Sequence, residues 1–297
     1  MAAKVPFRHD ITFEYGVADT LSPMVRRVVA RNPSAFTFRG TGTYIVGHGK
    51  VAVIDAGPLD QAHIDAILHA LRGEEISHQL ITHTHIDHSP AARPVKEQTG
   101  AQTYGYGPHG GASSDQQVEE GGDRDFVPDV KIDDGDVITG QGWTMEAVHT
   151  PGHTSNHICY HLAEENILFS GDHVMGWSTT VISPPDGDMR AYMASLTKLL
   201  RRDDARYWPT HGPSIDAPKP FVEALIGHRH ARENQIVECL KSGPKTIPEM
   251  VAVMYVDVGK HLHTAAGRSV LAHLTHMAAE GRLKSDGPAT ADATYHL

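Results

Sequence analysis

The sequence predicts an α/β fold, in which short strands alternate with amphipathic helices. Segments 43–47 and 51–55 are short, rich in β-branched residues and broken at glycine, as strands typically are. Segment 61–72 instead repeats its apolar residues at the spacing of one helix face and stops at Gly73. The residues on that face are Ile64, Ile67, Leu68 and Leu71.

The first half of the chain is predicted to continue this alternation. An edge strand at 24–30 and a strand at 36–38 precede the two strands above, and residues 47–50 form the hairpin turn that joins them. A strand at 79–81 follows the helix. We expect the next helix to begin near Pro94 and to stop at Gly100, because proline suits the first helical turn.

Four histidines in this half carry weak or no evidence of chemistry. His48 is expected in an exposed turn, and His63 and His69 are expected on the surface of the helix rather than as ligands. Residues 105–129, rich in Gly, Asp, Ser and Glu, are predicted to form a loop or insertion beside a functional site. His109 within them is a weak candidate for substrate contact.

The second half is again rich in strands and ends in helices. Strands are expected at 136–138, 144–148, 157–162 and 167–170, followed by a helix from Met189 to about Leu200 and a long helix at 218–240.

After Ser242-Gly243-Pro244 the pattern changes to two helices, at 247–255 and 265–280, and a strand-like tail from Gly281. We therefore expect a first domain at 1–240 and a small winged-helix-like domain at 241–297. Such domains bind nucleic acid, protein or another subunit. Arg268, Arg282 and Lys284 are too few to choose between these partners.

Composition limits the possible functions. With 297 residues and a formal net charge of −10, the chain has ample length for a core, and indiscriminate nucleic-acid binding is disfavoured. Cys159 and Cys239 lack a metal-like spacing and are expected to be buried and reduced. No signal peptide and no apolar run of about 18 residues is visible, so we expect a cytosolic protein with no membrane partner.

The strongest chemical signal is the run Thr82-His83-Thr84-His85-Ile86-Asp87-His88, which follows an apolar strand end. In extended chain the side chains of residues i and i+2 point to one side, so His83 and His85 can reach one cation. After a turn, Asp87 and His88 can face a second cation nearby. One H-x-H could arise by chance among 22 histidines, but H-x-H-x-D-H points strongly to metal.

Three later segments each place one Asp or His in a short turn after apolar sequence, where rigid scaffolds hold reactive groups. They are Thr150-Pro151-Gly152-His153-Thr154, Phe169-Ser170-Gly171-Asp172-His173 and Trp208-Pro209-Thr210-His211-Gly212. At these positions the chain resembles the metallo-β-lactamase superfamily. That resemblance implies a four-layer αββα sandwich, which the two β-rich halves with their helices match.

The resemblance also implies a two-metal site. His83, His85 and His153 would hold one metal, Asp87, His88 and His211 the other, and Asp172 would bridge them. Imidazole and carboxylate ligands without cysteine favour two Zn²⁺ ions, with Mn or Fe as substitutes. Two such ions lie roughly 3.5–4 Å apart and lower the pKa of a bound water to about 7, giving a hydroxide nucleophile.

Two carboxylates have further expected roles. Asp87 is the candidate to take up the proton of the nucleophile. Asp55 aligns with the first motif of the superfamily, where it would bond a liganding histidine and fix its tautomer. The alternative for Asp55 is a carboxylate that caps the turn at 56–58.

Within the superfamily, the chain most resembles the β-lactamase-like protein 2 family, metal-dependent endoribonucleases that act on single-stranded RNA. The resemblance rests on segments 40–47, 82–89, 150–154, 169–172 and 179–181, with His228-Arg229, Arg232-Glu233 and Tyr295-His296-Leu297.

There are departures from the family pattern. Pro90-Ala91 replaces the usual Gly-Gly, and an acidic stretch at 115–125 would repel RNA. The rival hypothesis is a glyoxalase II-like thioesterase or esterase acting on a small acyl substrate. A non-catalytic nucleic-acid-binding module is a weaker third hypothesis, and a homo-oligomer is possible.

Overall fold

Two β-sheets form the centre of the computed structural model, which describes residues 4–110 and 121–297. The first sheet has its seven strands in chain order, and neighbouring strands pair. The first four strands are antiparallel, and the last three are parallel to β4 because helices connect several of them. The strands are β1 Asp19–Thr20, β2 Val25–Val29, β3 Gly42–Val46, β4 Lys50–Ile54, β5 Glu75–Leu80, β6 Gln102–Gly105 and β7 Val130–Lys131, and the helices are α1 Gln61–Ala70 and α2 Ala92–Thr99.

The second sheet has the order β12-β11-β10-β9-β8. Its strands are antiparallel except for β11 and β12, which are parallel and are joined through a helix. The strands are β8 Val137–Gly140, β9 Trp143–His149, β10 Ile158–Leu162, β11 Ile167–Gly171 and β12 Arg206–Pro209, and the helix is α3 Met189–Leu199.

The buried side chains divide into layers. Between the sheets, Tyr44 and Ile54 from one sheet pack with Tyr160 and Phe169 from the other. The outer face of the first sheet is covered by α1 and α2, and that of the second by α3 and by α4, which spans Pro218–Leu240. These layers confirm the predicted αββα sandwich.

The C-terminal part has its own core, built around Met250, Val270 and Leu274. Thr246 and Glu249 cap the first helix of this part reciprocally. With a three-stranded sheet of order β13-β15-β14, this is a winged-helix arrangement. Its elements are β13 Lys245–Thr246, α5 Ile247–Met254, a 3₁₀ helix Lys260–Leu262, α6 His263–Ala279, β14 Lys284–Ser285 and β15 Thr294–His296.

The predicted strand at 36–38 is wrong, because residues 35–39 form a turn. The Ser34 hydroxyl accepts hydrogen bonds from the amides of Phe36 and Thr37, and Phe38 has a φ of 55°, in the left-handed region. These local hydrogen bonds compete with a strand. The aromatic and β-branched composition predicted the strand without them.

The expected surface position of His63 is also wrong. His63 is buried, and its Nε2 lies 2.8 Å from the hydroxyl of Thr43. Burial lowers the pKa of His63 to about 4. His48 and His69 are exposed, and both cysteines are free and buried, as expected. None of the helices in the described ranges is long and apolar enough to cross a membrane.

Candidate metal centre

Strand ends bring the seven candidate ligands together. The carboxyl ends of β9, β11 and β12 lie at one edge of the second sheet, and the end of β5 faces them from the first. Each strand stops just before a chemically active turn. His83, His85, Asp87 and His88 follow β5, His153 follows β9, Asp172 follows β11, and His211 follows β12.

Three imidazoles form the first group. Nδ1 of His85 lies 3.0 Å from Nε2 of His83 and 3.0 Å from Nε2 of His153. Nitrogen ligands about 2.0–2.1 Å from a tetrahedral zinc lie roughly 3.3 Å from one another, close to this spacing. Burial lowers the pKa of all three imidazoles, so they are neutral, as metal ligands must be.

The second group contains Asp87, His88 and His211. Nε2 of His211 lies 3.2 Å from Oδ2 of Asp87, and Nε2 of His88 lies 3.4 Å from the same oxygen. Burial opposes a charge on His211, but Asp172 and Asp87 raise its pKa to about 10. The two carboxylates therefore favour a positive charge at this position.

Asp172 joins the two groups. Its Oδ2 lies 3.4 Å from Nε2 of His211, 3.5 Å from Nε2 of His88 and 3.9 Å from Nε2 of His153. Among the described residues, Oδ1 of Asp172 and Nε2 of His88 are buried without a hydrogen-bond partner. Buried polar atoms of native proteins are normally satisfied, so these two atoms fit the ligand shell of a bound cation. The donor set therefore fits bound metal.

The Asp55 carboxylate lies directly behind this site. It accepts hydrogen bonds from Nδ1 of His88, the amide and hydroxyl of Thr82, and the hydroxyl of Thr210. Through these four bonds the Asp55 carboxylate links the ends of β5 and β12. The Asp55 side chain therefore does not cap the turn at 56–58. Asp55 itself has a φ of 50°.

Gly171 allows Asp172 to approach the site closely. Its φ is 52°, and a Cβ atom here would lie 2.5 Å from Nε2 of His157. The amide of Asp172 donates to that same nitrogen at 3.2 Å, and Nδ1 of His157 lies 2.9 Å from the Thr150 hydroxyl. His157 thus holds the backbone of Asp172, a role that its position in a predicted strand did not reveal.

Three further supporting contacts were missed from the sequence. The Thr41 hydroxyl donates to Oδ2 of Asp87 at 2.9 Å. The Thr180 hydroxyl donates to the carbonyl of Asp172, and Nδ1 of His153 donates to the carbonyl of Val181. Thr41, Thr180 and Val181 lie in segments that resemble the β-lactamase-like protein 2 family, at 40–47 and 179–181. That resemblance was the only available signal.

The described ends of the 105–129 loop lie beside the site. His109 is half-buried, and its Nδ1 lies 2.9 Å from the Thr84 hydroxyl, while its ring centre lies 6.1 Å from that of His85. Residues 111–120, with much of the acidic stretch, lie outside the described residues. A cavity of about 190 Å³ opens on the Asp87 side. It is lined by Asn32, Ser34, Phe36, Thr37, Ile86, Asp87, Asp172 and His211.

Comparison with known proteins supports the same architecture. A model of the metallo-beta-lactamase superfamily matches residues 37–211, and a model of the beta-lactamase associated winged helix domain matches residues 246–290. A beta-lactamase domain protein from Burkholderia ambifaria has the same fold, with a TM-score of 0.79 at 22% identity over 97% of this chain and 95% of that chain.

Two curated relatives are similar over most of their length. The beta-lactamase-like protein 2 homolog of Drosophila melanogaster is 32% identical over 282 residues, which cover 89% of this chain and 91% of that protein. The lactamase-like protein adaB of Aspergillus niger is 30% identical over 296 residues, covering 89% and 87%. With its sandwich, its winged helix and its His/Asp cluster, this chain belongs to the metallo-β-lactamase superfamily of metal-dependent hydrolases.

Proposed function

We propose that the protein is a dinuclear zinc hydrolase that cleaves phosphodiester bonds in single-stranded RNA. The observation that carries the two-metal part is the position of Asp172, whose Oδ2 lies within 3.9 Å of imidazoles from both groups. One carboxylate in this position can serve two cations. Manganese or iron could substitute for zinc, because the ligands are nitrogen and oxygen atoms.

Each residue has a defined task in this proposal. His83, His85 and His153 would hold one ion, Asp87, His88 and His211 the other, and Asp172 both. Bound ions would lower the pKa of water and offset the negative charge that develops during hydrolysis.

Asp87 is the proposed proton acceptor. Its side chain is 16% exposed and lines the cavity, whereas those of His88 and Asp172 are 0% and 6% exposed. Burial disfavours a charge on Asp87, but His88 and His211 hold its pKa below the usual value of a carboxyl group. Asp87 is therefore ionised at neutral pH, and the Thr41 hydroxyl fixes its orientation.

The substrate assignment has a different basis. The chain is 32% identical, over 89% of its length, to relatives named beta-lactamase-like protein 2 homolog, and its resemblance to that endoribonuclease family favours single-stranded RNA. The exposed Arg39, three residues beyond cavity-lining Phe36, also favours an anionic substrate.

A small acyl thioester or ester is the second candidate. The cavity of about 190 Å³ and its apolar Phe36 and Ile86 favour such a group.

The test is Asp172→Asn, which keeps the shape of the side chain and removes its charge. We expect metal content to fall from two ions to at most one, and hydrolysis to fall at least about 100-fold. Metal analysis and a panel of fluorescent single-stranded RNA and acyl thioesters measure both effects. Asp216→Asn is the control, because Asp216 pairs with Arg206 at the surface.

Three results would count against this proposal. Full activity of Asp172→Asn without bound metal would exclude the mechanism. Turnover of thioesters but not RNA would select the second candidate. RNA binding by the metal-loaded chain without any turnover would instead indicate a binding module.

A further inference from the structure

The loop between β2 and β3 is fixed to the proposed metal centre. The Asn32 side chain donates to the Thr41 hydroxyl and accepts from the Thr41 amide, both at 2.9 Å. The Thr41 hydroxyl in turn donates to Asp87. A substrate group that binds to this loop is therefore held at a fixed position relative to Asp87.

Two aromatic rings form a half-exposed platform at this loop. Phe38 and Trp177 are stacked, with ring centres 4.9 Å apart and planes 20° apart. Trp177 packs against the backbone that follows His211, since a Cβ atom on Gly212 would lie 2.8 Å from its Cδ1. The left-handed φ of 55° at Phe38 is strained backbone, of the kind that collects at functional sites.

Two exposed arginines are connected to this platform. The Arg39 guanidinium lies 5.6 Å from the centre of the Phe38 ring, and that of Arg31 lies 4.8 Å from the Tyr15 ring. The Tyr15 hydroxyl donates to the carbonyl of Arg39, which links the two arginines. Both are exposed, and neither forms an ion pair with a carboxylate within residues 4–110 and 121–297.

We propose that these five residues, Tyr15, Arg31, Phe38, Arg39 and Trp177, form a nucleotide-binding strip beside the metal centre. The Phe38–Trp177 platform stacks a base, and Arg39 and Arg31 bind the phosphates attached to it. Alternating aromatic and cationic side chains recognise single strands in this way, because every base presents a π-face and every linkage a charge. Single-charged or purely apolar substrates would use only part of the strip.

This inference rests on the proposed function and narrows it to substrates that carry a base and phosphate. Two sources have that chemistry, the nucleotides of single-stranded RNA and the adenosine phosphate of an acyl-coenzyme A thioester. Two linked arginines favour RNA, since successive phosphates of a chain can occupy both. The strip also supplies two positive charges next to the cavity-lining segment 34–37 in a chain whose net charge is negative.

The test measures binding separately from catalysis. The metal-loaded 297-residue chain is titrated with a fluorescein-labelled phosphorothioate oligoribonucleotide, which keeps bases and charges but resists cleavage, and anisotropy is read at several salt concentrations. For Arg31→Gln/Arg39→Gln we expect about tenfold weaker binding, and the slope of log affinity against log salt to shrink by about 1.4, or 0.7 for each phosphate. For Phe38→Leu we expect about tenfold weaker binding with an unchanged slope.

Arg93→Gln is the control, because Arg93 is 85% exposed on α2 and pairs with Glu97. Hydrolysis of bis(p-nitrophenyl) phosphate reports on the metal centre and should be unchanged in this control. Competition with coenzyme A distinguishes the two sources. If the variants bind coenzyme A more weakly than the wild type but bind RNA equally well, the strip binds a thioester.

If the strip variants and the wild type have the same affinities and salt slopes for RNA and coenzyme A, the proposal that these residues bind nucleotides is wrong. Failure of the wild type to hydrolyse either RNA or the small diester would instead overturn the proposed function, while the anisotropy would still test the strip.

Discussion

The carboxylate of Asp55 accepts a hydrogen bond from Nδ1 of His88 at 2.9 Å, and both side chains are almost completely buried. This contact puts the proton of the ring on Nδ1 and leaves Nε2 to face Asp87 and Asp172. A histidine that binds metal through one nitrogen depends on such a partner at the other. Asp55 therefore orients the candidate ligand His88 through the ring nitrogen that faces away from Asp87 and Asp172.

Asp55→Asn should weaken metal binding about 10- to 100-fold. The amide keeps the shape of the side chain but offers only one acceptor oxygen to four donors, and its NH₂ group repels the Nδ1 proton of His88. Competition between the protein and a zinc indicator measures the loss. Asp60→Asn is the matched control, because Asp60 only caps α1 through the amide of Ala62. Equal zinc affinity in Asp55→Asn and wild type would contradict the assignment.

The seven candidate ligands could be identified in the sequence because each lies in a short motif at the end of a strand, and the structure brings their side chains together. The residues that orient these side chains could not be identified, because they act across the fold. Thr41 is 46 positions away from Asp87 in the sequence. His157 directly precedes β10, and its hydrogen bond to Asp172 depends on the pairing of β10 with β11. The strand predicted at 36–38 is wrong for a related reason. The hydrogen bonds that the Ser34 hydroxyl accepts from the amides of Phe36 and Thr37 outweigh the strand propensity of this segment.

Arg229 supports the centre from the long helix α4. It is buried, lies over the Tyr192 ring at 5.1 Å, and donates to the carbonyl of Thr180. The Thr180 hydroxyl holds Asp172, and the next carbonyl, that of Val181, holds His153. Removing the guanidinium leaves the Thr180 carbonyl without its donor. We therefore expect the candidate ligands Asp172 and His153 to be held less firmly.

Arg229→Met should reduce stability by about 2 kcal/mol and zinc affinity by about tenfold. Denaturant unfolding of the metal-free protein and a zinc titration separate the two effects. Arg229→Lys keeps the charge but loses the planar stacking on Tyr192, so we expect an intermediate result. Arg232→Met removes a charge from the same helix where it faces Tyr255, and should leave zinc affinity unchanged. A full loss in that control would show that α4, rather than the contact to Thr180, sets the affinity.

Metal removal should lower the thermal midpoint of the protein. A ligand at about 100 times its Kd stabilises the folded state by about 2.7 kcal/mol, which in a domain of this size corresponds to roughly 5–10 °C. Scanning calorimetry with and without a chelator measures the shift. Asp172→Asn should show a smaller shift than wild type, since it is expected to bind fewer ions. Identical midpoints in the presence and absence of zinc would mean that the groups around His83 and His211 do not bind it.

A second buried carboxylate joins α4 to the winged helix. Glu233 is 1% exposed, lies 2.7 Å from the Arg282 guanidinium, and has an imidazole nitrogen of His276 at 3.2 Å. Burial opposes its charge, but the neighbouring His273 imidazole and the Arg282 guanidinium hold its pKa below the ordinary value of 4.5. Further charged or titratable groups at this contact include His230, which pairs with Glu233, Glu280, which pairs with Arg282 and His276, and Arg229, which acts on His273.

Glu233→Gln should therefore lower the free energy of unfolding by about 2 kcal/mol at neutral pH. The folded-state pKa is depressed, so the unfolded chain binds the proton first as pH falls, and the wild type loses this stabilisation below about pH 4.5. The difference between wild type and variant should be constant above about pH 5 and shrink below it. Denaturant unfolding of the metal-free proteins between about pH 7 and pH 4 measures this, with Glu238→Gln, an exposed partner of Lys241, as control. A difference that grew in acid would mean that Glu233 is protonated in the folded protein and that Arg282 does not hold its charge.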